Sequence, residues 1–225
     1  MAPRARLLSS SIGTKLLIGA TGLFLVLYLV VHIIGNLIVF LGRETFNHYS
    51  HLLLSNPLIL VIELVLVVIF LLHIFRTVSM YLANQKARPV GYVQKRRAGP
   101  PSRKTLASST MILSGLWLLL FVVIHVRTFK FGPEYEVPGE AGMRDLYRLE
   151  MDNFRHPLVV AFYLLSMVVV GSHLWHGISS ACQSLGAVGS RWTPRLLLAG
   201  KVMAVLIAGG FIVIAVWAHL MGARS

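Results

Sequence analysis

The residues with the clearest capacity for chemistry are four histidines embedded in apolar sequence: His32, His73, His125 and His173. Ionisable side chains are costly inside a bilayer, so each one within an apolar segment is a functional hypothesis. A single histidine of this kind is more typical of a hydrogen-bonded core residue. Four of them, one in each of four successive apolar segments, favour neutral imidazoles that bind a metal or a metal-bearing cofactor.

These histidines belong to a chain that is largely apolar. Of its 225 residues, 56% are hydrophobic and 13% are charged, whereas about a quarter of the residues in soluble domains are charged. A helix needs about 20 apolar residues to cross a hydrocarbon core of about 30 Å. Runs of that length predict an all-α integral membrane protein, one domain over residues 1–225 with five transmembrane helices at roughly 15–41, 57–83, 106–128, 157–183 and 195–220. The first run is too long for the core of a signal peptide, and the lone Cys182 excludes an internal disulfide.

Helix depth groups the four histidines into two pairs. An α-helix rises about 1.5 Å per residue, and successive spans alternate in direction. Counting from the span centres places His32 roughly 6 Å and His125 roughly 12 Å toward one side. His73 and His173 each lie roughly 7 Å toward the other side. Each pair joins two helices at similar depth, as bis-imidazole ligation of a b-type heme requires, so the sequence predicts a five-helix bundle that encloses two hemes b.

Other readings of the histidines are weaker. A single soft-metal ion is disfavoured because no thiolate cluster accompanies the imidazoles and the two pairs are too far apart for one ion. A proton relay would need further ionisable groups, and the second run offers only Glu63 besides its histidine. Small and polar residues share helix faces with the histidines and fit a flat cofactor, although ordinary packing of membrane helices explains them equally well. They are Thr21, Tyr28 and Asn36 on the first helix, where Leu25 lies on the same face, and Ser166, Gly177, Ser180 and Ser184 on the fourth.

The net charge of +13 is distributed asymmetrically. Seven of the eight acidic residues fall in segments on one side of the predicted membrane. Fourteen of the 21 basic residues fall on the other side: Arg4, Arg6, Lys15, Arg76, Lys86, Arg88, Lys95, Arg96, Arg97, Arg103, Lys104, Arg191, Arg195 and Lys201. The positive-inside rule then places the N-terminus in the cytoplasm and the C-terminus outside, and this distribution favours a membrane over nucleic acid as the partner.

Two connecting segments carry expectations of their own. The basic loop 84–105 is expected to contact lipid headgroups or to dock an acidic protein partner. The outer segment 129–156 is long enough for a short surface helix around residues 140–151.

Several stretches around the histidines resemble the cytochrome b558-type membrane anchor of succinate dehydrogenase and fumarate reductase, and the resemblance covers nearly the whole chain. These stretches are residues 20–24 (Ala-Thr-Gly-Leu-Phe), 32–37 (His-Ile-Ile-Gly-Asn-Leu), 46–49 (Phe-Asn-His-Tyr), 72–74 (Leu-His-Ile), 86–89 (Lys-Ala-Arg-Pro), 114–115 (Ser-Gly) ahead of His125, and 173–181 (His-Leu-Trp-His-Gly-Ile-Ser-Ser-Ala). The last stretch is the most specific.

The resemblance implies heme ligands on the first four helices. The family pairs its first helix with its third and its second with its fourth, which agrees with the depth argument. Its fourth-helix ligand precedes a glycine by four residues, so Gly177 selects His173 over His176.

The resemblance also implies a function and partners. Electrons would pass from succinate, oxidised on a flavoprotein subunit, through an iron-sulfur subunit to a membrane quinone, expected to be menaquinone, at the cytoplasmic (inner) membrane. Arg76 and Ser180 are expected to contact the quinone or the heme propionates on the cytoplasmic side, and Tyr28 to contact the cofactor. Asn36 and His48 mark an alternative quinone pocket on the outer side.

Two alternatives stay open. A fumarate reductase anchor would run the same reaction in reverse. A heme-free transporter or scaffold bundle would use the histidines for protons or substrate. One departure from the family is that some menaquinol-oxidising fumarate reductases carry a glutamate close before the fourth-helix ligand, where this chain has Gly171 and Ser172. A proton route of that type is therefore not expected.

Overall fold

Five long apolar helices make up most of the molecule. The computed structural model describes residues 10–87, 105–187, 189 and 191–222. Within these residues, the helices long and apolar enough to cross a membrane are Ser11–Leu41, Leu58–Lys86, Met111–Phe129, Pro157–Ser184 and Thr193–Gly222. The prediction of five spanning helices is therefore confirmed in the number, length and apolar character of the helices. The basic loop 84–105 lies mostly outside the described residues.

The elements follow one another in this order: α1 (Ser11–Asn36), a 3-10 helix (Leu37–Leu41), α2 (Arg43–Leu54), α3 (Leu58–Lys86), α4 (Leu106–Ser109), α5 (Met111–Phe129), β1 (Glu136–Val137), β2 (Glu140–Arg144), α6 (Leu146–Phe154), α7 (Pro157–Ser184) and α8 (Thr193–Gly222). The spanning helices are therefore α1, α3, α5, α7 and α8.

Local signals in the sequence explain where these helices begin. The Ser10 hydroxyl accepts a hydrogen bond from the Gly13 backbone N–H at 3.0 Å and caps α1. Thr105 and Ser108 form a reciprocal capping box at the start of α4. Pro157 occupies the first turn of α7, where its missing N–H costs nothing. The last residues of the first predicted span turn out to be the 3-10 helix.

The spanning helices do not pack equally. The most extensive contact is between α7 and α8, and α1 packs against α3, α7 and α8. Their core includes Met167, Leu174, Ala204 and Ile207. In contrast, α3 has no buried residue and meets α5 only loosely. Because α3 is also highly apolar, most of its surface is suited to lipid.

The segments between the spans form a small polar cap at one end of the bundle. It consists of α2, the β1–β2 hairpin and α6, and we call this end the capped end and the opposite end the N-terminal end. The predicted surface helix at 140–151 is wrong in its first half, since Glu140–Arg144 is a strand that pairs with β1. Gly139 and Gly142 have φ values of +86° and +79°, which favour a hairpin there, and Asp145 caps a helix that starts only at Leu146.

Candidate cofactor site

A cavity of about 730 Å³ lies between α1, α3, α5 and α7. Its lining is mostly apolar, and it extends from Lys130 at the capped end to Ser184 at the N-terminal end. Its volume falls in the usual range of about 300–1,000 Å³ for small-molecule and cofactor sites. The cavity is therefore large enough for a cofactor rather than for water alone.

His32 and His125 lie side by side near the capped end. Their ring centroids are 5.9 Å apart and the rings are inclined at 88°. A metal bonded to one nitrogen of each ring at about 2.0 Å would separate the centroids by about 6 Å. Although His125 lines the cavity, His32 is placed against the rings of Tyr28 and Phe211. The spacing of this pair would therefore allow one nitrogen of each ring to bind the same metal ion.

His73 and His173 line the other half of the cavity, and each is held by a hydroxyl from a neighbouring helix. His73 Nδ1 lies 3.0 Å from Thr21 Oγ1 on α1. His173 Nδ1 lies 2.9 Å from Ser114 Oγ on α5. Glycine follows the hydroxyl residue in both cases, in the dipeptides Thr21-Gly22 and Ser114-Gly115. His73 and His173 thus have the same local surroundings, a hydroxyl group followed by a glycine on a neighbouring helix.

The hydroxyl groups also fix the tautomer of these two histidines. Thr21 Oγ1 lies 2.6 Å from the Leu17 carbonyl oxygen and Ser114 Oγ lies 3.0 Å from that of Met111, so each hydroxyl donates its proton to its own helix. A hydroxyl that donates to its own helix can only accept from the histidine, and we infer on this basis that Nδ1 carries the proton in both rings. The Nε2 atoms of His73 and His173 are left with a free lone pair, as a metal ligand requires.

The other pair is oriented less strictly. His125 Nδ1 lies 3.3 Å from the Tyr163 hydroxyl oxygen. The Asn36 amide lies 3.4 Å from His32 Nδ1, at the outer limit of a hydrogen bond, and donates at 2.8 Å to the His32 carbonyl oxygen. In each of these contacts the histidine nitrogen involved is Nδ1.

Two glycines leave room beside the imidazoles. A Cβ atom added at Gly22 would lie 3.2 Å from His73 Cε1, which is tighter than an ordinary contact. One added at Gly115 would lie 3.7 Å from His173 Cε1, an ordinary van der Waals distance. A side chain at position 22 would therefore press on the His73 ring, whereas one at position 115 would only touch the His173 ring.

Several polar groups lie near the cavity. Tyr28, Ser180 and Glu63 line it, and Glu63 forms an ion pair with Lys130 across the loose contact between α3 and α5. Arg76 does not line the cavity, but its Nε atom is buried without a hydrogen-bond partner among the described residues. Half-buried His176 makes no side-chain hydrogen bond in the described part of the chain.

These features fit heme as the cofactor. Bis-histidine ligation needs two imidazoles from different helices, which the His32–His125 pair supplies, while His73 and His173 line the other half of the cavity and contact hydroxyl groups through Nδ1. The orphan Arg76 Nε is a donor that a carboxylate of a bound group could satisfy. No group of three or more His, Cys, Asp or Glu side chains suited to one metal ion occurs among the described residues, but a bis-histidine site needs only two.

Some contacts of the site were missed in the sequence. Tyr163 was not singled out, although it lies six residues into α7, close in depth to His125 near the end of α5. The Trp117 indole N–H donates to Ser166 Oγ at 3.1 Å and joins α5 to α7. His48, expected at an outer quinone pocket, lies 3.7 Å from Glu140 and lines a separate pocket of about 320 Å³ in the cap.

The cap carries two unusual carboxyl groups. Asp145 is fully buried, which alone would raise its pKa, but hydrogen bonds from Arg43, Asn47 and the Arg148 backbone N–H outweigh burial and lower the pKa. Burial raises the pKa of Glu150 to about 8. Of these two buried carboxyl groups, Asp145 is therefore charged and Glu150 largely neutral at neutral pH.

The chain has also been compared with known proteins. No family model, no curated protein and no solved structure matches it.

Proposed function

We propose that this chain is the diheme cytochrome b membrane anchor of a succinate dehydrogenase. One observation carries the proposal: α3, α5 and α7 each place a histidine in the lining of a single apolar cavity, and α1 places His32 with its ring centroid 5.9 Å from that of His125. An ion pathway would need polar groups along its length, and this cavity is lined mainly by aliphatic and aromatic side chains.

The residues around His73 and His173 prepare both rings for metal binding. Thr21 and Ser114 accept the Nδ1 protons and direct the Nε2 lone pairs away from those hydroxyls. Gly22 and Gly115 give each ring space on the neighbouring helix. Orienting partners of this kind raise the basicity of a ligand and fix its ring orientation. We assign His73 and His173 as one ligand pair on this basis.

His32 and His125 form the second ligand pair. Tyr28 stacks on His32 with ring centroids 5.3 Å apart, and Phe121 stacks on His125 at 5.6 Å. These aromatic neighbours exclude water and restrict the rotation of the two imidazoles. When bound, two hemes b supply one-electron transfer between the two halves of the bundle.

The charge distribution supports an orientation with the N-terminal end in the cytoplasm. In this orientation the chain lies in the cytoplasmic membrane and the cap faces outward. Polar residues flank α3 at both of its ends. An iron-sulfur subunit would dock at the cytoplasmic end and receive electrons from a flavoprotein subunit that oxidises succinate. The electron acceptor would be a membrane quinone, menaquinone in this proposal.

The quinone headgroup has two candidate locations. On the cytoplasmic side, Ser180 lines the cavity and Arg76 offers its unpartnered Nε. On the outer side, Asn36 is occupied by its own helix and His48 belongs to the pocket in the cap. The free donors favour the cytoplasmic side, in agreement with electron entry there.

Heme quantification tests the proposal directly. The purified full-length chain should show a Soret band and give two hemes b per polypeptide in a pyridine hemochrome assay. One heme or none would overturn the diheme model, and a protein without a Soret band would be a heme-free bundle. Co-purification with iron-sulfur and flavoprotein subunits would identify the complex, and comparison of the rate of succinate-dependent quinone reduction with that of quinol-dependent fumarate reduction would distinguish the succinate dehydrogenase from a fumarate reductase.

A further inference from the structure

Two basic side chains near the start of α8 lie against exposed tryptophan rings. Lys201 Nζ is 5.3 Å from the centroid of the Trp175 ring on α7. Arg195 Cζ is 5.4 Å from the centroid of the Trp192 ring. Both tryptophans are exposed, at 40% and 60%, as are the two basic residues. Neither cation forms an ion pair with a carboxylate in the described part of the chain.

The depth of Lys201 is unusual for an exposed cation. α8 has 30 residues and is about 45 Å long, so it exceeds a hydrocarbon core of about 30 Å by about 7 Å at each end if it is centred. Lys201 lies about 12 Å from the start of the helix at Thr193, and thus about 5 Å inside the core. A lysine side chain reaches the headgroup region from that depth by extending along the helix.

Trp175 lies at a similar depth on the neighbouring helix. α7 has 28 residues, and Trp175 is about 13 Å from its end at Ser184. Tryptophan prefers the boundary between hydrocarbon and headgroups, and the Lys201–Trp175 pair reaches that boundary from inside by extending its side chains toward the end of the bundle. The ring also helps to hold the ammonium group in place through a cation–π contact.

The surface next to Lys201 is apolar and exposed. Leu198, Val202 and Val205 are 63%, 47% and 58% exposed, respectively. Leu198, Lys201 and Val205 share one face of α8 because they are three and four residues apart. A ligand of this surface would need an acyl chain for the apolar stripe and an anionic group for the two cations.

We propose that Lys201, Arg195, Trp175 and Trp192 form a binding site for one acidic phospholipid at the N-terminal end of the bundle. The phosphate pairs with the Lys201 ammonium, Arg195 six residues nearer the start of α8 adds positive charge to the headgroup region, and one acyl chain follows Leu198 and Val205. A zwitterionic lipid would bring the cationic group of its own headgroup close to Lys201 and Arg195, so it binds this site less tightly. This site is independent of the histidines and of any heme.

Native mass spectrometry of the full-length protein can test this site. Protein extracted from nanodiscs of phosphatidylglycerol and phosphatidylcholine in equal amounts should retain phosphatidylglycerol preferentially. Lys201→Gln should weaken that retention about fivefold, the effect of one basic residue at an anionic surface, and the double variant with Arg195→Gln should weaken it further. Trp175→Leu keeps the apolar surface and should weaken retention by less.

Lys86→Gln is the matched control, since it removes one exposed basic residue from the end of α3 at the same end of the bundle. This variant should retain phosphatidylglycerol like the unaltered protein. Equal retention of the two lipids, unchanged retention in Lys201→Gln, or an equal loss in Lys86→Gln would each overturn the proposal. Because Lys201 is exposed, an unchanged elution profile in size-exclusion chromatography would establish that the variant is folded.

Discussion

The two histidine pairs are held by different means. The Nδ1 atoms of His73 and His173 each contact a hydroxyl group that also bonds to its own helix, and this contact places the ring proton on Nδ1 and leaves Nε2 unprotonated. Each of the two rings also faces a glycine on a neighbouring helix. His32 and His125 are held mainly by aromatic rings, with polar contacts of 3.3–3.4 Å. Hydrogen bonds fix both direction and protonation state, whereas aromatic packing fixes position alone. The pair near the N-terminal end is therefore the more fully preorganised.

Replacing a proposed ligand should give the largest effect. His73→Ala or His173→Ala should remove the heme at the N-terminal end, and His32→Ala or His125→Ala the heme at the capped end. Each variant should fall from two hemes to one per chain, because a low-spin b heme needs both axial imidazoles. Pyridine hemochrome assays and reduced-minus-oxidised spectra would measure this.

His176→Ala is the control for these variants, since it removes a half-buried imidazole from the same helix. It should retain two hemes. If His176→Ala lost a heme and His173→Ala did not, the ligand of α7 would have to be reassigned.

Removal of the orienting hydroxyls should give the next largest effect. Thr21→Val and Ser114→Ala should each weaken heme retention at the N-terminal pair by about 10- to 100-fold, the usual range for partners of metal-bound histidines. Tyr163→Phe should have a smaller effect on the other pair, where the aromatic contacts persist. Heme transfer to apomyoglobin would give the dissociation rates.

Thr77→Val provides a matched control for Thr21→Val. Thr77 also lines the cavity, but its hydroxyl donates only to the His73 carbonyl oxygen, at 2.7 Å. Its loss should leave heme retention unchanged. Equal effects of Thr21→Val and Thr77→Val would show that polarity of the cavity, rather than the Nδ1 contact, determines retention.

The two glycines give a finer test of the same pair. Gly22→Ala should displace His73, because the new Cβ would lie 3.2 Å from Cε1, and overpacking of this kind costs about 1–3 kcal/mol. Gly115→Ala places its Cβ at an ordinary 3.7 Å and should be tolerated. Visible spectra and heme content would separate the two variants. A loss of heme in Gly115→Ala alone would reverse this assignment.

The smallest expected effect concerns the cap. Because the pKa of Glu150 is raised to about 8, the folded protein favours the neutral acid, and ionisation costs stability as the pH rises from the usual carboxyl range through 8. Glu150→Gln should therefore be more stable than the unaltered protein at pH 9, by several degrees in Tm, and similar to it at pH 5. Thermal unfolding in detergent would measure the difference.

Glu134→Gln is the control for this experiment, since it alters an exposed carboxyl group in the same connecting segment. It should not change the dependence of Tm on pH. A Glu150→Gln variant whose advantage was the same at pH 5 and pH 9 would mean that packing, and not ionisation, sets its stability.

The spanning helices could be predicted well because hydropathy and length dominate in a bilayer. The predicted ends at residues 157 and 183, for example, agree with Pro157–Ser184. The structure of the polar cap could not be predicted, because it depends on contacts between segments that are distant in the sequence. The helix predicted at 140–151 gave way to a hairpin where Gly139 and Gly142 adopt positive φ, and α2 was not predicted at all.

The candidate site shows the same division. The histidines and their grouping by depth follow from periodicity and from helix rise, and the structure indeed places His32 beside His125. Their orientation depends on Tyr163 and on the hydrogen bonds of Thr21 and Ser114, which need interhelical geometry. Heme ligation itself stays a prediction.

The buried network of the cap has a consequence for membrane insertion. Asp145 is bonded by Arg43, 102 positions earlier, and by Asn47, 98 positions earlier, and the chain between them contains the two spanning helices α3 and α5. Failure of either helix to cross would leave Asp145 and its partners on opposite sides of the bilayer. An unpaired carboxylate and an unpaired guanidinium would then replace a closed network. Closure of the cap therefore disfavours chains in which just one of these two helices has crossed.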